Sequence, residues 1–188
     1  MKTDLSKYDN SWYNPGKHVV IRFLWYYASL VFFRSGLFPF SGLKVSILRF
    51  FSGKIGKGVI IKPHVNIKYP WKLTIGNHCW IGENTWIDNL GEVKIGSNVC
   101  LSQGAMLLCG NHHYKKTTFD LIVGDITLED GVWIGAQALV GPGITCHEHS
   151  VLAVKSVATS NLDAFGIYRG NPALRVKTRQ INNNSEHN

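Results

Sequence analysis

The segment Gly110-Asn111-His112-His113-Tyr114 holds the residue types best suited to chemistry in this chain. A histidine titrates near neutral pH and can take a proton from a hydroxyl or an amine. One carried on a projecting loop can also reach a neighbouring subunit. Taken alone, a His-His pair fits two solvated surface side chains at least as well. Cys109, just before it, is the competing nucleophile, yet it continues the apolar run Leu107-Leu108 and reads as packed. The four cysteines (Cys79, Cys100, Cys109, Cys146) lie far apart with no C-x-x-C spacing. That usage points to reduced thiols in a cytosolic protein, and away from a zinc ribbon or a disulfide scaffold.

The elements that must position these groups follow from a repeat. From Ile55 an aliphatic residue recurs every six positions: Ile55, Ile61, Ile67; Ile75, Ile81, Ile87; Ile95, Leu101, Leu107; then Leu128, Ile134, Val140, Cys146, Leu152, Ala158. A period of six suits neither a helix nor simple strand alternation. It suits short strands joined by tight corners, three flat sides to a coil of about 18 residues, with coils stacked at the strand spacing of about 4.8 Å. Gly and Asn at the corners (Gly76-Asn77, Gly82-Glu83-Asn84, Gly96-Ser97-Asn98) supply the backbone angles that turning demands. A sandwich of short strands would not hold so strict a phase. The phase breaks are eight residues from Ile67 to Ile75, eight from Ile87 to Ile95 and 21 from Leu107 to Leu128. The last break predicts a long loop, Cys109 to Asp125, expelled from one corner, and loops on a rigid scaffold are where function concentrates.

These six-residue repeats, with an Asn-His loop, closely resemble the hexapeptide-repeat acyltransferases, which fold as all-β left-handed parallel β-helices. The resemblance runs from residue 55 to residue 179. Ile75-Gly76-Asn77 through Trp86-Ile87-Asp88-Asn89, Ile95-Gly96 through Ser102-Gln103-Gly104-Ala105, and the ending Gly170-Asn171-Pro172-Ala173 with Arg175-Val176-Lys177 resemble the colanic-acid or exopolysaccharide sugar O-acetyltransferase branch. The resemblance implies direct transfer of an acetyl group from acetyl-CoA to a saccharide hydroxyl, of an exopolysaccharide or a lipid-linked sugar, without an acyl-enzyme, in a homotrimer with active sites between subunits. It places the catalytic base at His112. His113 stands where that branch often has Asp, which opens the possibility of a different acceptor. Polar groups at Asn84, Asp88 and Asn89, the ring face of Trp86, and His113 and Tyr114 form the expected acceptor site. For the pantetheine arm the matching positions are Gly135-Ala136 and Ala153-Val154, followed by Lys155 and Thr159. The lysine that relatives place after that Thr is Ser160 here, so Lys155, Arg169, Arg175, Lys177 and Arg179 are the cations left for the nucleotide phosphates.

Twenty Lys and Arg against twelve Asp and Glu give a net charge of +8, which favours an anionic partner. No nucleic-acid recognition motif accompanies that charge, and nucleic acid is not expected as a partner. With 17% charged and 45% hydrophobic residues, disorder is excluded. Residues 1–54 lack the repeat and read as a helical cap on the first coil, residues 55–165 as the β-helix, and 166–188 as a C-terminal extension whose tail, Asn182 to Asn188, frays. Within the cap, Val19 to Phe33 and Gly42 to Phe51 read as helices. Neither is long enough to span a bilayer. Lys17, Arg22, Arg34, Lys44 and Arg49 beside large apolar residues make peripheral contact through residues 17–51 an option, on the inner membrane face of a cytoplasmic protein. The alternatives are N-acetylation of an amino sugar, O-acetylation of an antibiotic, a zinc carbonic anhydrase on the same solenoid, and a non-catalytic scaffold. No metal is expected, because the histidines lack the spacing the zinc enzymes use.

Overall fold

A computed structural model describes residues 2–182 of the chain. The repeat folds as a three-faced left-handed β-helix whose strands pair in parallel between successive coils. The first face stacks Ile55, Ile75, Ile95, Leu128 and Cys146. The second stacks Ile61, Ile81, Leu101, Ile134 and Leu152, and the third Ile67, Ile87, Leu107, Val140 and Ala158. These side chains point inward and are buried, so one apolar residue per side fills the prism axis. Gly166–Arg169, counted in the C-terminal extension on sequence, adds a further rung to the second face through Val151 and Ile167. Leu174–Thr178 then returns antiparallel to it. Most of the expected frayed tail, residues 183–188, lies outside the described residues.

Corners decide what each face can display. Between the second and third faces every coil turns on one residue with positive φ: His64, Asn84, Gly104, Gln137 and Lys155. We call this the groove corner. The corner between the third and first faces carries all three phase breaks, and we call it the insertion corner. There the chain adds a short 3-10 turn at Pro70–Lys72, then the loop around Asn89 and Leu90, then the 109–125 segment. At the remaining corner Gly58 is needed for space as well as for its φ of +66°. A Cβ there would sit 2.5 Å from the ring of His78 in the next coil.

The N-terminal helices are α1 (Val19–Ser29), which runs on into a π-helical turn at Leu30–Arg34, and α2 (Ser41–Phe50). They solve the problem of an open first coil, whose carbonyls have no coil before them to bond. Each face receives at least one side chain from the cap. Arg49 donates to Ile55 O and Gly56 O, Lys44 to Ile61 O and Lys62 O, and the Trp25 indole to Ile67 O and Lys68 O. Lys44 is fully buried, and burial lowers its pKa from the ordinary lysine value. Two of the five cations expected to meet a membrane, Lys44 and Arg49, are therefore committed to the prism. A third, Arg22, lies on the inward side of α1 with Trp25 and Ser29.

Candidate active site

The expelled segment is a β-hairpin rather than an irregular loop. Gly110–His112 pairs antiparallel with Leu121–Val123, and Asp88 and Cys109 bond through their backbones beneath it. The hairpin fixes His112. Its Nδ1 lies 2.9 Å from the carbonyl oxygen of Phe119, and its ring stacks on the Phe119 ring at 4.4 Å and 8°. A carbonyl only accepts, so Nδ1 carries the proton and Nε2 keeps a free lone pair, the tautomer a general base requires. Phe119 adopts φ +52°, unusual for a bulky residue, in the hairpin that aims its carbonyl at the imidazole.

His112 opens into a cavity of about 580 Å³ lined also by Tyr8, Asn10, Ser11, Tyr13, Arg22 and Lys68. Nearly half of this lining comes from residues before the first helix, to which the sequence pattern assigned no role at the site. This N-terminal segment lies along the insertion corner. Tyr13 donates to Leu90 O, Trp71 to Pro15 O, and the Asp4 amide to Thr117 O. Tyr8 tilts over the His112 ring at 5.8 Å. The only signal for it was a run of Tyr, Asn, Ser and Trp ahead of an apolar helix.

The expected acceptor residues do not converge in one protomer. Asp88 and Asn89 lie under the hairpin, but both are buried and engaged: Asp88 pairs with Lys68 at 2.9 Å, and the Asn89 amide bonds both backbone groups of Tyr69. Their place is to hold the corner. Asn84 sits at the groove corner, not beneath the hairpin, and Trp86 is half-exposed on the outer surface of the third face between the two. His113 faces a shallower hollow with Asp9, Trp12 and Lys116, and Tyr114 projects into solvent at the hairpin tip. Cys109 is buried, and burial pushes its thiol up to about 12, so it is no nucleophile near neutral pH.

The groove corner holds the other half. A groove of about 620 Å³ is lined by Gly135, Ala136, Ala153 and Val154, with Trp133 and Arg179 beside them. Four of the positions expected to take pantetheine thus share one largely apolar cleft, which suits a slender chain of amide and methylene groups. Trp133 forms a wall, its indole donating to Ser102 at 2.9 Å. Lys155 follows Val154 at the corner, and Arg169 and Lys177 are exposed on the strands just beyond. Thr159 does not belong to the cleft, since it lies past the third face at the opposite corner. The Arg175 guanidinium turns to Asp163 and Thr178, and Arg179 donates to Gly131 O and His149 O, so neither waits for phosphate. Among the described residues no three His, Cys, Asp or Glu side chains gather as a metal site.

Comparison with known proteins places this geometry. The chain is 36% identical over 133 residues to the putative colanic acid biosynthesis acetyltransferase of Escherichia coli, covering 71% of this chain and 73% of that one. It belongs to the hexapeptide-repeat acetyltransferases. No family model matches the chain. The galactoside O-acetyltransferase of Escherichia coli is 26% identical over 145 residues, 76% of this chain and 70% of that protein. A hexapeptide-repeat acetyltransferase of Vibrio cholerae, solved with acetyl coenzyme A, superposes with a TM-score of 0.77 at 20% identity over 86% of this chain and 88% of its own. The family is one of acyl-CoA-dependent acyltransferases.

Proposed function

We propose that this acetyltransferase moves the acetyl group of acetyl-CoA to a hydroxyl of a saccharide, with His112 as general base. The observation that carries the reading is the locked imidazole. Its proton is held on Nδ1 by Phe119, and Nε2 is open to a cavity rich in hydroxyls and amides. As the acceptor oxygen bonds to the thioester carbon, its proton passes to Nε2. The C–S bond breaks, and the departing thiolate takes that proton back as coenzyme A thiol.

The transfer requires two protomers. His112 and the pantetheine groove lie at the two ends of the third face, separated by about six residues of extended chain, roughly 15–20 Å. The outer surfaces of the second and third faces support assembly. Trp80, Trp133 and Trp86 are exposed there, whereas the first face shows Lys54, Thr74, Lys94 and Thr127. Apolar outer walls on two of three faces fit a ring of three copies, in which the insertion corner of one protomer meets the groove corner of the next.

Mixed assembly tests this. Neither His112→Ala nor Val154→Trp should transfer acetyl groups alone. Co-expressed, they should recover about a quarter of the wild-type sites by random assortment of protomers. No recovery would place the base and the groove in the same subunit. Thiol release with acetyl-CoA and a panel of saccharides, amino sugars and chloramphenicol reads the acceptor. Transfer to an amine nitrogen or to the antibiotic in preference to saccharide hydroxyls would overturn the O-acetylation of a sugar.

We also propose that the helical cap rests on an anionic lipid surface. No helix of the described residues is long and apolar enough to cross a membrane. Yet Val20, Phe23, Leu24, Tyr27 and Val31 form one exposed stripe on the outer side of α1, continued by Leu37 and Phe40. Between Asp9 and Glu83 the chain has no Asp or Glu, and Lys17 and Arg34 are exposed in the cap, where they complement anionic headgroups. The full chain should float with phosphatidylglycerol vesicles and lose that association with Phe23→Ser and Tyr27→Ser together. A chain that sediments free of vesicles would mean that another copy covers this face.

A further inference from the structure

The His112 cavity does not end at the imidazole. A second, smaller cavity of about 200 Å³, lined by Trp25, Tyr26, Ser29, Arg34 and Asn66, shares Arg22, Lys68 and Tyr69 with it. Three cations therefore line two adjoining cavities, Arg22 and Lys68 both of them and Arg34 the smaller. No carboxylate lines either part, and Asp88 meets Lys68 from below. Arg22 is the telling group. It faces inward from α1, and its Nε is buried with no hydrogen-bond partner. A buried guanidinium donor without an acceptor is costly, so such a group is normally met by a ligand or by water. Beside the Tyr, Ser and Asn groups that suit a sugar, the lining therefore adds positive charge that a neutral sugar does not call for.

We infer that the acceptor saccharide, whose hydroxyl is acetylated in the reading proposed above, is carried on a phosphate or diphosphate that binds Arg22, Arg34 and Lys68. Arg22 presents a planar fork to two phosphate oxygens, and Lys68 and Arg34 supply point charge on either side. Tyr8, Asn10 and Tyr13 remain for the sugar between the phosphate and His112. Such an acceptor exists as a nucleoside diphosphate sugar or as a polyprenyl diphosphate-linked sugar. Both offer the same anion to the same three cations.

Two measurements on the full-length protein test the inference. Titration calorimetry with inorganic pyrophosphate should show binding that weakens about tenfold in Arg22→Gln and in Arg34→Gln. Arg22→Lys, which keeps the charge but loses the fork, should fall between. Melting curves of the variants report whether they remain folded. Acetyl transfer is then compared for a neutral methyl glycoside, a nucleoside diphosphate sugar and a polyprenyl diphosphate sugar in detergent. The diphosphate-bearing acceptors should have a KM at least tenfold below that of the glycoside, and Arg22→Gln should raise their KM far more than that of the glycoside, so that the advantage is lost. Preference between the two diphosphates identifies the carrier. Equal KM for all three acceptors, or pyrophosphate binding indifferent to Arg22, would overturn the inference. If pyrophosphate binds through Arg22 but no saccharide is acetylated, the anion site stands and the acetyl-transfer reading fails.

Discussion

At the groove corner each coil turns on a single left-handed residue, and the six-residue phase is kept from one coil to the next. At the insertion corner the phase fails three times: twice by the same two extra residues, which lets Asn89 bond Tyr69 one coil earlier, and once by the 109–125 hairpin, which has no counterpart in the other described coils. The regular corner offers the same backbone groups at every rung, spaced about 4.8 Å apart, which suits a long thin ligand laid along the stack. The irregular corner yields unique side-chain positions: a hairpin that locks one imidazole, a buried Asn that ties two rungs, and an N-terminal segment that closes a cavity. Repetition builds a track, and its interruption builds a centre of reaction.

The sharpest way to break this contrast is at His112. Changing it to Ala should lower kcat by about 10²–10⁴-fold with the melting temperature unchanged, measured by thiol release against acetyl-CoA. Retained turnover would move the chemistry away from the hairpin. Next is Asn89, read here as a tie between rungs. Asn89→Ala leaves Tyr69 N–H and C=O unmet and should cost about 2–3 kcal/mol in urea unfolding, with KM for the acceptor unaltered. A raised KM without loss of stability would return it to the acceptor site.

Cys109 tests the packing under the hairpin. Its folded pKa of about 12 lies above the ordinary thiol value near 9, so the folded state holds this proton more tightly. Stability from this group is complete below pH 9 and is lost as pH rises towards 12. At pH 10 the loss is on the order of 1 kcal/mol, and Cys109→Ala should remove that share of the alkaline decline in unfolding free energy. An unchanged decline would show the thiol to be solvated. The smallest effect is expected at Asn84. Asn84→Gly preserves the left-handed turn and deletes only the amide, so unfolding should not change, while acceptor KM rises about fivefold, roughly 1 kcal/mol. An unmoved KM would reduce Asn84 to a corner residue like His64 and Gln137.

Much of this was legible in the chain. Ile55 through Ala158 announced the three faces because a prism needs one apolar side chain per flat side, and parallel stacking keeps that phase in register. The three phase breaks announced the insertion corner, since each follows the third aliphatic of its coil. Gly135, Ala136, Ala153 and Val154 were found together because they recur at equivalent points of successive coils. Less was legible where contacts join distant segments. Asp88 and Asn89 look like ligands in sequence, and only their pairing with Lys68 and Tyr69, 20 residues earlier, shows them to be internal ties. Thr159 follows its neighbours in sequence but turns one corner too far.

The repeat by itself determined the prism, its corners and the position of the expelled segment, because a local period dictates a local shape that simply accumulates. The tertiary structure decided which nitrogen of His112 is free, since that depends on the carbonyl of a residue seven positions away across a hairpin. It also decided that Arg22, on an apolar helix, turns inward beside that imidazole. Such a placement follows from how α1 lies over the first coils, and nothing in the spacing of residues 19–34 encodes it.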